Sequence, residues 1–302
     1  MAQLIHYTHC PVCGSADIRK VLSAKDYTVS GEEFTVMECK SCSLRFTQGV
    51  PDAASIAPYY KSEEYISHTN TSKGLVNRLY QSVRKKTLKQ KRKLVEKETG
   101  STKGRILDLG AGIGAFVNEM KKAGWEVTAL EPDAGARKLG KELYGIEMED
   151  TGQFYQLPEA SYDAITLWHV LEHVHDLQGY IARLRSLLNE KGRLIIAVPN
   201  YTSGDAAVYG EHWAAYDVPR HLYHFSPRSM QVLMEKHGLK IRDYKPMWYD
   251  SFYVSMLSSK YKRGKTNLAG AFFRGLGSNI KAMRDVKRCS SVIYIMEKAV
   301  SY

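Results

Sequence analysis

The chain has 302 residues, 44% hydrophobic and 25% charged, with a formal net charge of +11. That is an ordinary globular composition, and the length exceeds the common domain size of about 100–150 residues, which predicts one large domain with a smaller companion. It contains no run of roughly 20 apolar residues, as a membrane helix would need, and its first residues, MAQLIHYTHC, lack a basic region followed by an apolar stretch. A cytoplasmic protein is expected, with peripheral contact with a membrane surface left open.

Four of the five cysteines fall in two pairs, Cys10-Pro-Val-Cys13 and Cys39-Lys-Ser-Cys42, with a strand-like stretch, Thr35–Glu38, before the second pair. Two such pairs place four thiolates on facing turns, the donor set of a structural zinc ribbon. Disulfides are the competing reading, disfavoured because nothing directs export and the rest of the chain can build a core. Four thiolates leave no open coordination position, so the metal is expected to hold structure only. Cys289, alone before the apolar Val292–Met296, reads as a small buried hydrophobe.

Residues 1–50 thus form a predicted zinc-ribbon-like module. Residues 51–102 read as a loop and then a helix, with Leu75, Val76, Leu79, Val83 and Leu88 at near-helical spacing and seven Lys or Arg between Arg84 and Lys93. This helix is expected to cap the site that follows. Its charge run is a solvated face or a docking surface for an anionic partner.

Arg105–Asp133 is the most informative segment. Ile106, Leu107 and Leu109 suit a parallel strand covered on both faces, and Gly110, Gly112 and Gly114 allow a sharp turn and close approach to a ligand. A helix follows, then a second strand through Val127, Ala129 and Leu130. It ends at Glu131, about 20 residues past the first glycine, where a carboxylate can accept both ribose hydroxyls. GAGIGA also satisfies a dinucleotide fingerprint, so an NAD-binding oxidoreductase is one alternative. Asp108 argues otherwise, because a carboxylate beside the loop repels a pyrophosphate and favours an ammonium or sulfonium.

With Asp108-Leu-Gly110-Ala-Gly112-Ile-Gly114 and Glu131-Pro132-Asp133, the sequence resembles the class I S-adenosylmethionine-dependent methyltransferases. Tyr162–Thr166 is similar to their fourth strand, Trp168–Val174 to the segment after it, and Leu187–Asn200 to their helix end, fifth strand and Pro-Asn exit. The resemblance implies an α/β fold with a doubly wound, Rossmann-like seven-stranded sheet over residues 103–302. Its last strands, near Lys240–Tyr244 and Ser291–Glu297, would form an antiparallel hairpin with an insertion at residues 248–286. Pro227–His237 reads as a helix capped by Ser226 and stopped by Gly238. Asp108, the three glycines, Glu131, Pro132 and Trp168 would hold S-adenosylmethionine, with Trp168 beside the adenine. Some sugar C-methyltransferases carry a similar zinc-binding N-terminal module, followed by a further C-terminal domain that is not expected here.

The ends of the fourth and fifth strands are rich in histidine. His169, Glu172 and His173 fall at i, i+3 and i+4, followed later by Asp217-Val-Pro-Arg220-His221-Leu-Tyr223-His224. Although His169-Val-Leu-Glu172-His173 spells the H-x-x-E-H of an inverted zinc peptidase, that motif needs a long helix. It also resembles the E-x-x-E-H segment by which quinone O-methyltransferases and small-RNA 2′-O-methyltransferases bind a divalent metal. His169, Glu172, His173 and His221 would then be ligands; otherwise Glu172 and His173 bond to backbone or to Arg220. His173 and His221, then His169, are the candidate general bases. Arg220 and Tyr223 are candidate acceptor contacts, with an Arg220–Asp217 salt bridge as the alternative. The favoured acceptor is a polar small molecule, a sugar or an anionic metabolite. The alternative is an RNA-directed enzyme gripping phosphates with the ribbon and basic surfaces, with base stacking supplied by Tyr249, Phe252, Tyr253, Tyr261, Phe272 and Phe273 of the insertion.

Overall fold

The computed structural model describes residues 3–60 and 75–299, without the side chains of residues 75–82. Leu75, Val76 and Leu79 of the predicted apolar helix face therefore lie outside the described side chains.

Each cysteine pair sits on a tight turn. The Gly14 N–H donates to the Cys10 carbonyl (2.9 Å) and the Ser43 N–H to the Cys39 carbonyl (2.9 Å), with both Gly14 and Ser43 left-handed. Strand β1 (Leu4–Ile5) pairs with β5 (Val50–Pro51), while β2 (Ile18–Lys25), β3 (Glu33–Cys39) and β4 (Arg45–Gln48) form an antiparallel meander. Its fourth strand comes from far along the chain. In β10 (Tyr223–His224), Tyr223 pairs with Phe46 and His224 with Arg45 of β4. The N-terminal residues thus share a sheet, and a core through Leu44, Phe46, Leu222 and Phe225, with the rest of the protein.

The central sheet is built from β6 (Arg105–Leu109), β7 (Glu126–Leu130), β8 (Tyr162–Trp168), β9 (Leu188–Pro199), β11 (Leu239–Pro246) and β12 (Ser291–Lys298), in the order β11-β12-β9-β8-β6-β7. The first four are parallel to one another; β11 and β12 pair antiparallel, and β12 runs antiparallel to β9. Leu107, Leu109, Ile165 and Leu167 face α4 (Leu177–Leu187), α6 (Pro227–Lys236) and the N-terminal residues. Ile106, Ala164, Ile195 and Ile293 face α1 (Leu75–Thr99) and α2 (Ala115–Lys122). Burial on both faces explains why these strands read as apolar runs. The short α5 (Gly204–Tyr209) precedes α6, which starts with a Ser226–Ser229 capping box. Two further helices, α7 (Asp250–Arg263) and α8 (Leu268–Arg284), connect β11 to β12 where the insertion was expected.

The expected seventh strand is absent among the described residues. After α3 (Ala134–Tyr144) the chain makes one parallel bridge, Leu130 to Glu149, with Glu149 N–H donating to Ala129 O (3.0 Å) and Glu131 N–H to Glu149 O (2.9 Å). The next residue, Asp150, then turns the backbone: its carboxylate accepts from Gly152 N–H (2.9 Å) and caps a 3-10 turn, Thr151–Gln156. The strand position is filled, but capping ends it after one residue.

Arg220 joins the two parts. Only 2% exposed, it donates to Asp217 (2.6 and 3.0 Å), to Asp26 (3.2 Å), to the Tyr59 carbonyl (2.8 Å) and to the Thr28 hydroxyl. Asp26, 1% exposed, also accepts from the N–H groups of Thr28, Val29 and Ser30. Burial alone would raise the Asp26 pKa, but the N–H donors and Arg220 outweigh it and hold it at about 2. A carboxyl depressed in the folded state stabilises above its unfolded pKa and loses that contribution as pH falls through the folded value. Arg220→Met is therefore expected to cost about 3–5 kcal/mol in chemical denaturation at pH 7, because it strands buried carboxylates. That deficit should shrink as pH is lowered from about 4 toward 2, where Asp26 protonates even in wild type.

Candidate functional site

The glycine loop lies beyond the carboxyl ends of β6 and β7, where ligands bind in open α/β sheets. Gly110, Gly112 and Gly114 all have positive φ, and a Cβ at Gly110 would lie 2.5 Å from Val170 Cγ2, so Gly110 is irreplaceable on two counts. Glu131, 8% exposed, accepts from Gly112 N–H (2.7 Å) and Asp133 N–H (3.0 Å), so it fastens the loop. Burial raises its pKa. The Pro132 carbonyl accepts from Arg137 (2.9 Å).

Asp108, 4% exposed, accepts a 2.5 Å hydrogen bond from Thr166 on the adjacent strand. Burial pushes its pKa up to about 7, against the opposing effects of Thr166 and of the nearby Lys91 ammonium. Lys91 Nζ lies 4.1 Å from the centre of the Trp168 ring, which packs edge-on to Phe116 at 5.6 Å. Trp168 is therefore held on the sheet face covered by α1 and α2. Burial lowers the Lys91 pKa to about 8, with Asp108 and Asp250 working against that shift. Helix α1 thus brings one lysine of its charge run beside Trp168 and Asp108.

His169, with φ of 61°, sits 2.9 Å from Asp250 through Nε2 and 3.4 Å from Glu172 through Nδ1. Burial alone would lower its pKa, but the two carboxylates hold it at about 10. An imidazolium has no lone pair to offer, so pairing with two carboxylates disfavours His169 as a base or a metal ligand, and it stands outside the Glu172, His173 and His221 group.

His173, Glu172 and His221 do converge, with candidate ligand atoms all within 4.8 Å of one another. His173 Nδ1 faces the Arg220 carbonyl (3.0 Å) and the Tyr60 hydroxyl (3.0 Å), and His221 Nδ1 faces the Ala215 carbonyl (2.9 Å). A carbonyl opposite Nδ1 requires the proton there, leaving Nε2 as the acceptor nitrogen on both rings. Burial, then the His221 charge, lower the His173 pKa to about 4. Glu172 is fully buried and neither oxygen meets a donor in hydrogen-bond geometry. Burial would raise its pKa, but His169 and the neighbouring imidazoles bring it below the ordinary value.

The two proposed acceptor contacts stand elsewhere. The Arg220 guanidinium is committed to the seam described above, and Tyr223, 2% exposed, donates to the His175 carbonyl (3.2 Å) within the shared core. The four cysteines of the N-terminal turns do meet. Cys10 and Cys42 Sγ are 3.5 Å apart, as are Cys13 and Cys39, and all four lie within 4.8 Å. Cys289 is fully buried, and burial lifts its pKa to about 11, consistent with an inert thiol.

Sequence reasoning missed Lys91, Thr166 and Asp250. Lys91 was legible in principle: Leu88, Lys91 and Val95 follow i, i+3, i+7, which puts one lysine on the inward face of the helix. Asp250 reaches His169 only through the fold of the insertion, and no local pattern marks it.

A family model described as a methyltransferase domain matches residues 80–244, more than half of the chain. The ubiquinone biosynthesis O-methyltransferase of Xanthomonas axonopodis pv. citri (strain 306) is 27% identical over 160 residues, which are 48% of this chain and 66% of that protein. The chain thus spans just under two thirds of the length of this relative. Two solved structures share the fold at 14% identity: magnesium protoporphyrin IX methyltransferase (ChlM) from Synechocystis PCC 6803 with bound SAH, and Burkholderia thailandensis 1,6-didemethyltoxoflavin-N1-methyltransferase. The first has a TM-score of 0.52, covering 82% of this chain and 100% of that one; the second has 0.50, covering 92% and 100%. With the glycine loop, Asp108 and Glu131 at adjacent strand ends and the family model spanning them, the chain belongs to the methyltransferase domain family.

Proposed function

We propose that the protein transfers a methyl group from S-adenosylmethionine to a hydroxyl of a polar small molecule. The observation that carries this reading is the pair of buried carboxylates flanking the glycine loop, Glu131 bound to Gly112 and Asp108 at the end of β6. Glu131 suits the ribose hydroxyls, Asp108 the cationic end of the cofactor, and Lys91 its carboxylate. The cofactor supplies an activated methyl, so the protein has only to position the acceptor and remove its proton. His221 fits the second task. It is 8% exposed and tethered through Nδ1, with Asp217 3.9 Å from Nε2 to favour the imidazolium once the proton arrives. As the acceptor oxygen forms its bond to the methyl carbon, the carbon–sulfur bond breaks with its electron pair left on sulfur, and the hydroxyl proton passes to the imidazole. The naming of a relative for O-methylation supports an oxygen acceptor.

A second reading rests on the undonated Glu172 carboxylate. With the Nε2 atoms of His173 and His221 it is a His-His-carboxylate set suited to a divalent cation, which would hold the acceptor hydroxyl and make it more acidic. Separately, the four cysteines fit a structural zinc. Tetrahedral ligation at about 2.3 Å puts sulfurs about 3.8 Å apart, close to the 3.5 Å spacings here.

In calorimetry, S-adenosylmethionine should bind and NAD should not, with affinity rising as pH climbs through about 7, because a cation binds the ionised form of Asp108. Asp108→Asn should weaken binding roughly tenfold or more and flatten that pH dependence; tight NAD binding would instead support the oxidoreductase alternative. His221→Gln should keep cofactor affinity yet lower single-turnover methyl transfer by about 10²–10⁴, whereas full activity restored by Mn²⁺ would favour the cation reading. Elemental analysis should find one zinc per chain, lost in Cys39→Ser together with several degrees of Tm; four cysteines unreactive to thiol reagents until reduced would point to disulfides.

A further inference from the structure

Helix α8 has its side chains the wrong way round for a water-facing helix. Its inward residues are small or polar: Ala271, Gly275, Ser278, Asn279 and Ala282 are buried, and α7 meets them through Ser251, which donates to Asn279 (3.0 Å), and through Phe252, which packs against Gly275. Its large apolar residues point out. Leu268, Phe272, Phe273, Leu276, Ile280 and Met283 are 67, 54, 68, 39, 50 and 76% exposed. At about 100° per residue Phe272, Met283, Leu276, Ile280 and Phe273 fall in one continuous arc, with Leu268 at the helix start beside it, and Arg284, Lys281 and Arg274 follow next around the helix, all exposed. Phe272 stacks on Phe252 of α7 at 5.4 Å and meets Phe273 edge-on at 5.7 Å, so the arc is a packed patch and not scattered side chains. A contiguous apolar surface of this kind marks an interaction site.

Charge selects the occupant. Between Ser251 and Arg288 the chain has nine Lys or Arg and one carboxylate, Asp285. A two-fold contact between copies would set these cations against their own images. A nucleic acid would pair with the cations yet leave the apolar arc in water. An anionic lipid surface accommodates both, burying the arc at the headgroup boundary while the basic flank meets lipid phosphates. We propose that α8 is a membrane-surface docking helix that lies in the plane of an anionic bilayer. No helix among the described residues is long and apolar enough to cross a membrane, so the contact is peripheral. The proposal stands independently of the methyl-transfer reading.

The test is flotation of the full chain with phosphatidylcholine vesicles with and without phosphatidylglycerol, alongside sedimentation equilibrium without lipid. Binding to the anionic vesicles alone is expected, weakened by salt and by Arg274→Glu/Arg284→Glu. Phe272→Ser/Phe273→Ser/Met283→Ser should weaken it about tenfold or more, with circular dichroism and S-adenosylmethionine affinity unchanged because these side chains are exposed. Equal vesicle binding by the triple-serine variant overturns the proposal, as does no binding by wild type. A wild-type dimer that the triple variant turns into a monomer also overturns it and assigns the arc to a second copy.

Discussion

The Arg220 cluster is the constraint on which the arrangement of the site depends. A guanidinium removed from water must find its full set of acceptors, and here they come from both sides of a seam: Asp26 and Tyr59 on one, Asp217 on the other. The backbone around it carries the site. The Arg220 carbonyl orients His173, the next residue is His221, and Leu222 N–H donates to the Glu172 carbonyl at 2.8 Å. Thr47 then holds this segment from the N-terminal side, donating from its hydroxyl to the His221 carbonyl (2.7 Å) and from its N–H to the Leu222 carbonyl (2.9 Å). The cysteine-bearing residues are thus structural partners of the histidine cluster, built into the same core.

The remaining charges form an alternating chain. Asp108 and Asp250 both act on Lys91, Asp250 pairs with His169, and His169 faces Glu172. Each interior charge of this chain has two opposite neighbours, whereas Asp108 and Glu172 at its ends have one each and are left partly compensated. Those ends are where a cofactor cation and a divalent ion, respectively, would complete the balance. Incomplete compensation of this kind characterises places that expect a ligand.

The glycine loop, its strands and Glu131 were legible because local chemistry dictates them. A parallel strand buried on two faces must be apolar, and a turn at positive φ favours glycine. The paired cysteines were legible for a similar reason, since a spacing of two brings both sulfurs to one side of a turn. The Arg220–Asp217 pair was legible as an alternative from its spacing of three, but the remaining roles of Arg220, Tyr223 and His169 were not, because they depend on groups arriving from distant segments: Asp26 from 194 residues away for Arg220, the His175 carbonyl for Tyr223, Asp250 from the insertion for His169. The missing seventh strand had a visible cause in Asp150, a capping residue one position past Glu149, but a cap weighs against strand pairing only once the neighbouring edge is known.

That single bridge has a consequence for rigidity. Strand β7 is the outer strand of the sheet, and beyond Ala129 and Glu131 it has no neighbour on its open side among the described residues. An open edge invites pairing with another chain, and this one is protected by its five-residue length and by Glu126 at its start. Yet Glu131 directly follows this edge strand, so the carboxylate that fastens the glycine loop is carried by the least-held strand of the sheet. Local opening free energy should be lowest there, and a ligand gripping Glu131 would close the edge. Ligand binding and slowed amide exchange along β7 then become two readings of a single equilibrium.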